Sequence, residues 1–476
     1  MSDRELARLL GSWQRAGPGY ASLAGALRAL VLDGRLPIRA RLPSERGLAA
    51  VLGVSRTITT AAYDLLRSEG FMESRRGSGS RVALPTGGVR DRELPPGAGD
   101  ARDAAGIDLT IAALPAPAAT VEAVAAATHD LARYMGSSGY EPYGVPSLRR
   151  LVADRYTQRG IPTDPDQILI SSGAQHALAL LLDVLVAPGD PVLVESPSYP
   201  NAFESLRRAG VRFVAAPMQP DGWDLDLIGA LLRRDAPRLA YLIPDFQNPT
   251  GFLMGDPERA ALVAGAARVG THVIVDETFA ELDLEPLQGV PKPMAAHDRE
   301  SGVVTIGSMS KAYWGGLRVG WIRCVPPLAR RLARARFALD LATPVLEQLV
   351  AEHLLRATES VMAERRTLLT ARRDALAAAL RRTLPAWRFR LPRGGLCLWV
   401  ELDRAETDAL AEAANVEGVR IVPGSTFSAN GLLNRWVRLP FTQPPGVLEE
   451  AVLRLSAARQ RLRLGARGDP LSGLTA

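Results

Sequence analysis

Residues 306–321, IGSMSKAYWGGLRVGW, contain one of only two lysines in the 476-residue chain. The other is Lys292, and arginine supplies the remaining 55 of the 57 basic residues. A lysine ε-amine condenses with an aldehyde to give a Schiff base, which a delocalised, permanently protonated guanidinium cannot do. Lys292, in the loop-like run GVPKPMAAH, reads as a surface residue, whereas the neighbours of Lys311 point to chemistry. Ser308 and Ser310 stand just before it, and Arg318 follows beyond a Gly-Gly bend. Hydroxyls and a guanidinium are suitable ligands for a phosphate held beside the aldehyde.

Working outward, SSGAQHAL (171–178) places Gly173 between a strand and a helix, so that free N–H groups at the helix start, with Gln175, can receive the same phosphate. VIVDE (273–277) ends a strand with Asp276, a carboxylate able to pair with a pyridinium nitrogen and preserve an electron sink. PDFQNPTG (244–251) supplies Asn248 for a phenolic ring oxygen, and ESPSYPN (195–201) supplies Tyr199 as an aromatic platform. Singly, each is an ordinary turn, surface or core residue. Order and spacing give them weight: Asn248 to Asp276 is 28 residues, and Asp276 to Lys311 is 35.

The runs DQILIS, PVLVES, VRFVAA, LAYLIP, THVIVDE, VVTIGS and VGWIRCV alternate with amphipathic helical stretches. That pattern predicts an α/β fold with a mostly parallel sheet covered by helices on both faces. From about residue 351 the chain turns helical and arginine-rich, and GGLCLWVEL and RWVRLPF then read as short strands of a small C-terminal lobe.

This series resembles the fold-type I aminotransferases over about residues 107–465. The resemblance implies pyridoxal 5'-phosphate as cofactor, Lys311 as its Schiff-base lysine, Asp276 on the pyridine nitrogen, Asn248 on the phenolic oxygen and Tyr199 stacked on the ring. It also implies Ala174, Gln175, Ser308 and Arg318 around the phosphate. Tyr140, in GYEPYGVPSLRR, would reach the phosphate of a neighbouring subunit, implying a homodimer, and Arg438, in NRWVRLPF, would grip a substrate or effector carboxylate. Such domains often carry a tyrosine two or three positions after the strand aspartate, where this chain has Thr278 and Phe279.

The front of the chain has a different character. Residues 1–84 hold 13 arginines against seven acidic residues, which accounts for the whole formal charge of +6. A basic module on a neutral body predicts a polyanionic partner for the module. In RLPSERGLAAVLGVSRTITTAAYDLLRSEGF (41–71), Ser44 and Ser55 are placed to cap two helices across a turn at Gly53, a helix-turn-helix pattern. Ile58, Ala61, Ala62, Leu65 and Leu66 are expected on the core face of the second helix. Arg56, Thr60, Tyr63 and Arg67 are expected on a stripe facing a DNA major groove. FMESRRGSGSRVAL (71–84) reads as a hairpin with a basic, glycine-rich tip.

LPSER.LA..LGVSR followed by DLLRSEGF resembles the winged helix of GntR-type transcription regulators, over about residues 20–84. The resemblance implies Arg46 on phosphate, Ser55, Arg56 and Thr57 entering the groove, and Gly77 and Gly79 shaping the wing. Thr60 occupies a position where that family often has arginine. Residues 85–106, rich in Pro, Gly, Asp and Arg, read as a linker between a 1–84 DNA-binding domain and a 107–476 aminotransferase-like domain.

That layout resembles the MocR family of regulators. It implies a cytoplasmic, homodimeric protein that binds a double-stranded DNA operator and senses a small amine or amino acid through a Lys311 aldimine. The alternatives are an active aminotransferase that also binds DNA, and a repressor that senses the cofactor itself. A hydrophobic content of 47% with 23% charged residues describes a globular chain, and no apolar run of membrane-spanning length occurs. Cys324 and Cys397 have no metal-ligand spacing and read as small buried residues, and the five histidines are dispersed, so no metal is expected.

Overall fold

The computed structural model describes residues 3–11, 13, 18–32, 36, 40–75, 79–83, 106–285, 289–300 and 302–465. The chain divides into two compact units, Met1–Pro95 and Pro96–Ala476. The expected linker and the wing-tip glycine Gly77 lie outside the described residues, apart from Gly106 at the linker's end.

In the front unit, helices α1 (Asp3–Leu10), α2 (Gly19–Leu32), α3 (Glu45–Leu52) and α4 (Arg56–Ser68) precede strands β1 (Met72–Arg75) and β2 (Gly79–Val82). Leu6, Leu23, Leu27, Leu48, Ala62, Leu66, Met72 and Val82 form the core. Ser44 caps α3 by accepting the Gly47 N–H at 3.1 Å, and Gly53, at a φ of 67°, ends it in the left-handed conformation that glycine adopts without strain. The strands pair antiparallel from Met72 with Val82 to Arg75 with Gly79.

Two expectations for α4 need correction. Ser55 stands at the N-cap position but its side chain makes no capping bond. The buried face is Thr59, Ala62, Tyr63 and Leu66, so the apolar stripe is rotated by about one residue from the expected one, and Ile58, Ala61 and Leu65 are only half-buried. Tyr63 is 1% exposed and donates its hydroxyl to the Pro43 carbonyl at 3.1 Å. A phenol with a partner for its oxygen buries its ring like any other aromatic residue, which a polar assignment of tyrosine overlooks. Two more of the expected groove residues are held within the protein: Thr60 donates to Glu45 at 2.8 Å, and Arg67 pairs with Glu45 at 3.0 Å and Asp64 at 2.6 Å.

The strands of the back unit are, in chain order, β3 (Ile107–Asp108), β4 (Ile168–Ser171), β5 (Pro191–Ser196), β6 (Arg212–Gln219), β7 (Gly222–Trp223), β8 (Leu239–Leu242), β9 (His272–Asp276), β10 (Val303–Ser308), β11 (Gly320–Arg323), β12 (Arg388–Phe389), β13 (Cys397–Glu401), β14 (Val419–Arg420), β15 (Val422–Pro423) and β16 (Trp436–Pro440). Eight of them form one sheet in the order β4-β11-β10-β9-β8-β5-β6-β7. Pairing is parallel from β10 through β6, with β11 antiparallel to both its neighbours and β7 antiparallel to β6.

Alternate residues of these strands feed two cores, as the two-residue period of a strand buried on both faces requires. Val273 and Val275 join the core that extends under the small lobe, whereas Ile274 joins the one on the opposite face. A second, four-stranded antiparallel sheet, β12-β13-β16-β15, belongs to the small lobe. Cys324 and Cys397 are buried free thiols.

Candidate cofactor pocket and DNA-binding surface

The carboxyl ends of the parallel strands converge on one cavity of about 360 Å³, the usual place for a ligand in an open α/β sheet. Ser308, Gly320 and Ser171 lie side by side on β10, β11 and β4, and Asp276 lies opposite Ile306 at the end of β9. Ala174, Gln175, Tyr199, Asn248, Asp276, Ser308, Lys311 and Arg318, separated by up to 144 positions in sequence, all line the cavity. Thr278, Phe279 and Ser310 line it too.

One end of the cavity is built for an anion. The helix Ala174–Leu185 opens there behind Gly173, which supplies no side-chain cap and leaves the first N–H groups free. Gly173 has a φ of 89°, and a Cβ on it would lie 2.6 Å from Arg318 Nη2. Arg318 itself is left-handed, with a φ of 52°, a strain of about 1–3 kcal/mol for a non-glycine residue. In that conformation Nη2 donates to the Ser172 carbonyl at 3.0 Å and Nη1 to Ser310 Oγ at 3.5 Å. Ser308 Oγ donates to Ser310 Oγ at 3.0 Å, so two hydroxyls and the guanidinium share one wall.

The other end is a carboxylate held in place. Asp276 accepts the Tyr241 hydroxyl at 2.7 Å and the Thr278 N–H at 2.9 Å. Tyr199 accepts the Asn201 amide on its hydroxyl at 2.9 Å. Asn248 Oδ1, Thr278 Oγ1 and Gln175 Oε1 are buried without a hydrogen-bond partner, and all three residues face the cavity. Buried polar atoms without partners are costly unless a ligand satisfies them.

Lys311 sits in the turn Ser310–Trp314 directly after β10, where its Nζ donates to the Ala112 carbonyl at 2.8 Å. Burial pushes its ammonium down to about 8, and the nearby Arg438 guanidinium adds to the effect. Behind the pocket, the fully buried Glu195 is pushed up to about 7 by burial, despite accepting bonds from Trp223, Ile243 and Gln247.

Two expected residues stand away from the cavity wall. Arg438 is buried on β16, donates to the Thr110 carbonyl and lies 4.9 Å over the Phe427 ring. Tyr140 is 64% exposed. Tyr241 and Glu195 were not anticipated: in LAYLIP and VLVES they read as strand residues, and only the pairing of β8 with β5 and β9 shows what their polar atoms meet.

In the front unit, Ser44 and Arg46 are exposed at the start of α3, and Ser55, Arg56 and Thr57 at the start of α4. Among the described residues, neither Arg46 nor Arg56 pairs with an acidic side chain. Unpaired guanidiniums at exposed helix starts suit phosphate. Gly79 begins the second wing strand.

These features define an aminotransferase-type domain joined to a winged helix. Residues 105–455 match the family described as aminotransferase class I and II, and residues 19–82 match the bacterial regulatory proteins of the gntR family. A 2-aminoadipate transaminase of Thermus thermophilus is 35% identical over 336 residues, 69% of this chain and 82% of the relative. A probable rhizopine catabolism regulatory protein, MocR, of Rhizobium meliloti is 30% identical over 441 residues, 85% of this chain and 86% of the relative. The crystal structure of an α-aminoadipate aminotransferase from Thermus thermophilus, complexed with N-(5'-phosphopyridoxyl)-L-leucine, superposes with a TM-score of 0.69 at 33% identity, covering 75% of this chain and 93% of that one. The protein belongs to the MocR family of regulators, in which a gntR-type winged helix precedes an aminotransferase class I and II domain.

The cofactor of this domain is pyridoxal 5'-phosphate, and the residues present fit it. The cavity has anion ligands at one end, a fixed carboxylate at the other, an amine between them and unsatisfied amide and hydroxyl groups along the wall. Among the described residues no group of His, Cys, Asp and Glu is arranged to hold a metal ion. No described helix is long and apolar enough to cross a membrane.

Proposed function

We propose that the protein is a cytoplasmic, pyridoxal-phosphate-dependent transcription regulator that reads a small amine or amino acid in its back domain and answers on double-stranded DNA through its front domain. One observation carries this reading. An amine lowered to about 8 by desolvation lies in a cavity lined by hydroxyls and a guanidinium, in a chain whose other unit presents unpaired arginines at two exposed helix starts.

The Ala174 and Gln175 N–H groups, Ser308, Ser310 and Arg318 would hold the phosphate, Asp276 the ring nitrogen, Asn248 the phenolic oxygen and Tyr199 the ring face. When bound, the cofactor supplies an aldehyde that condenses with amines and a ring that accepts electrons. Lys311 contributes a nucleophile, because burial leaves a sizeable neutral fraction of its amine near neutral pH. The bonds from Tyr241 and Thr278 fix the direction of the Asp276 carboxylate. Phe279 brings no hydroxyl to the cavity, which leaves Thr278 Oγ1 beside Asn248 on that side. Arg438 provides the fork for an effector carboxylate.

The exposed Tyr140 supports a homodimer in which it serves the other subunit's phosphate. Exposed Phe337, Leu339 and Leu341 lie on the segment that Arg336 ties to the Pro142 carbonyl at 2.9 Å, two residues from Tyr140. These apolar side chains form a surface suited to burial against a second copy.

A second reading, a working aminotransferase that also binds DNA, is favoured by the 35% identity to a transaminase over the back domain. The test is titration of the holoprotein with a panel of amines and amino acids, followed by visible absorbance and by operator affinity. The regulator reading expects a spectral change and an altered DNA affinity with the same effector, without steady consumption of a keto acid. Continuous turnover with no effect on DNA binding would overturn it.

A further inference from the structure

We propose that the back domain carries a second small-molecule site, for an aromatic carboxylate, between the carboxyl edge of the large sheet and the sheet of the small lobe. A cavity of about 590 Å³ lies there, larger than the cofactor pocket and within the range of drug-sized ligand sites. Its walls come from Ser196 and Pro197 at the end of β5, Pro217 to Pro220 at the end of β6, Thr250 and Phe252 after β8, and the small-lobe strands β12, β13 and β16.

The chemistry of the walls selects the ligand. Phe252, Phe389, Trp399 and Trp436 make it aromatic, with Trp399 and Trp436 stacked at 5.5 Å. Arg390 and Arg388 supply the charge. Arg390 lies 4.1 Å over the Phe252 ring, and Arg388 is exposed and has no ion-pair partner among the described residues. The one acidic side chain in the wall, Glu401, faces Arg388 across the β12–β13 pair and has its own cation in Arg435 at 3.7 Å. The balance therefore favours an anion with a flat apolar body.

The two cavities are lined by different residues, but the wall of this one is tied to residues of the cofactor site on two sides. In the antiparallel register Trp399 lies opposite Arg438 and Glu401 opposite Trp436, so all four side chains project from one face of the small-lobe sheet. The Phe427 ring packs edge-on to Trp399 at 5.6 Å and lies under the Arg438 guanidinium. On the large-sheet side, Gln247 donates to the Pro197 carbonyl at 2.8 Å and accepts the Thr250 hydroxyl at 2.8 Å. Tyr199 and Asn248 each stand two positions from these wall residues. A ligand here bridges the two lobes and presses on the supports of Arg438, Tyr199 and Asn248. That gives the molecule a second input, separate from the amine at Lys311.

The site itself is independent of the regulator reading; only its consequence for effector sensing rests on it. The experiment titrates the holoprotein with phenylacetate, by calorimetry and tryptophan fluorescence, with benzyl alcohol as the uncharged analogue. Saturable binding is expected, weakened roughly tenfold in Arg388→Glu and for benzyl alcohol, and also weakened in Trp436→Ala. Arg388→Glu should leave the cofactor spectrum and its response to amines unchanged, so a failure of phenylacetate to bind would leave the amine reading standing. Absence of saturable binding, equal binding of benzyl alcohol, or binding kept in Arg388→Glu but lost in Arg438→Ala would each overturn the proposal.

Discussion

The two units use positive charge in opposite ways. Arg46 and Arg56 stand in solvent at helix starts, unpaired among the described residues, where a cation acts on a polyanion through a screened field. Arg438 is buried and Lys311 is half-buried with its amine in the pocket, where desolvation of the Lys311 charge changes what the group does. The front unit should therefore respond to salt and little to pH near neutrality. The pocket should respond to pH and little to salt.

The largest effect expected is from Lys311→Arg, which keeps the charge and removes the condensing amine. The visible band of the bound cofactor and any spectral response to amines should both disappear, and a variant that retained them would break the distinction between charge and chemistry. Next, Arg46→Ala and Arg56→Ala should each weaken operator binding and lower the slope of log affinity against log salt by about one. An unchanged slope in both would remove the front unit from the comparison.

A pH series sharpens the contrast. Capture of pyridoxal phosphate by the apoprotein should speed up with pH and level off above about 8, the value to which burial lowers Lys311 from its ordinary 10.5. A rise continuing to the ordinary value would place the amine in water. The same shift sets a stability trend. The folded state disfavours the charged amine, so its penalty is full below about 8 and is relieved as pH rises towards 10.5. Lys311→Met should accordingly stabilise the apoprotein at neutral pH and lose that advantage in strong base, as thermal unfolding would record. The smallest effect is at Tyr63→Phe, where loss of the bond to Pro43 should cost about 1 kcal/mol of front-unit stability and leave the salt slope of DNA binding unaltered.

Much of the pocket was legible because its residues mark strand ends. Asn248, Asp276 and Ser308 follow apolar runs, and the sheet places the ends of such runs along one edge whatever the loops between them do. What the runs did not reveal is contact across strands. Tyr241 meets Asp276 because β8 and β9 are neighbours in register, a pairing that neither segment encodes alone. Glu195 and Tyr63 were opaque for a related reason: each looks polar in a pattern of hydrophobicity and is buried because a distant partner satisfies it.

By itself, the sequence determined that one of only two lysines stands among hydroxyls and an arginine, that the sheet is mostly parallel, and that the net positive charge lies in the front unit. These follow from residue identity, local period and composition, which do not depend on the path of the chain. Tertiary structure alone decided which face of α4 is buried, how far desolvation lowers Lys311, and that Trp399, Trp436, Arg388 and Arg390 enclose a second cavity. Burial, electrostatic environment and enclosed volume belong to residues far apart in sequence, and only packing brings those residues together.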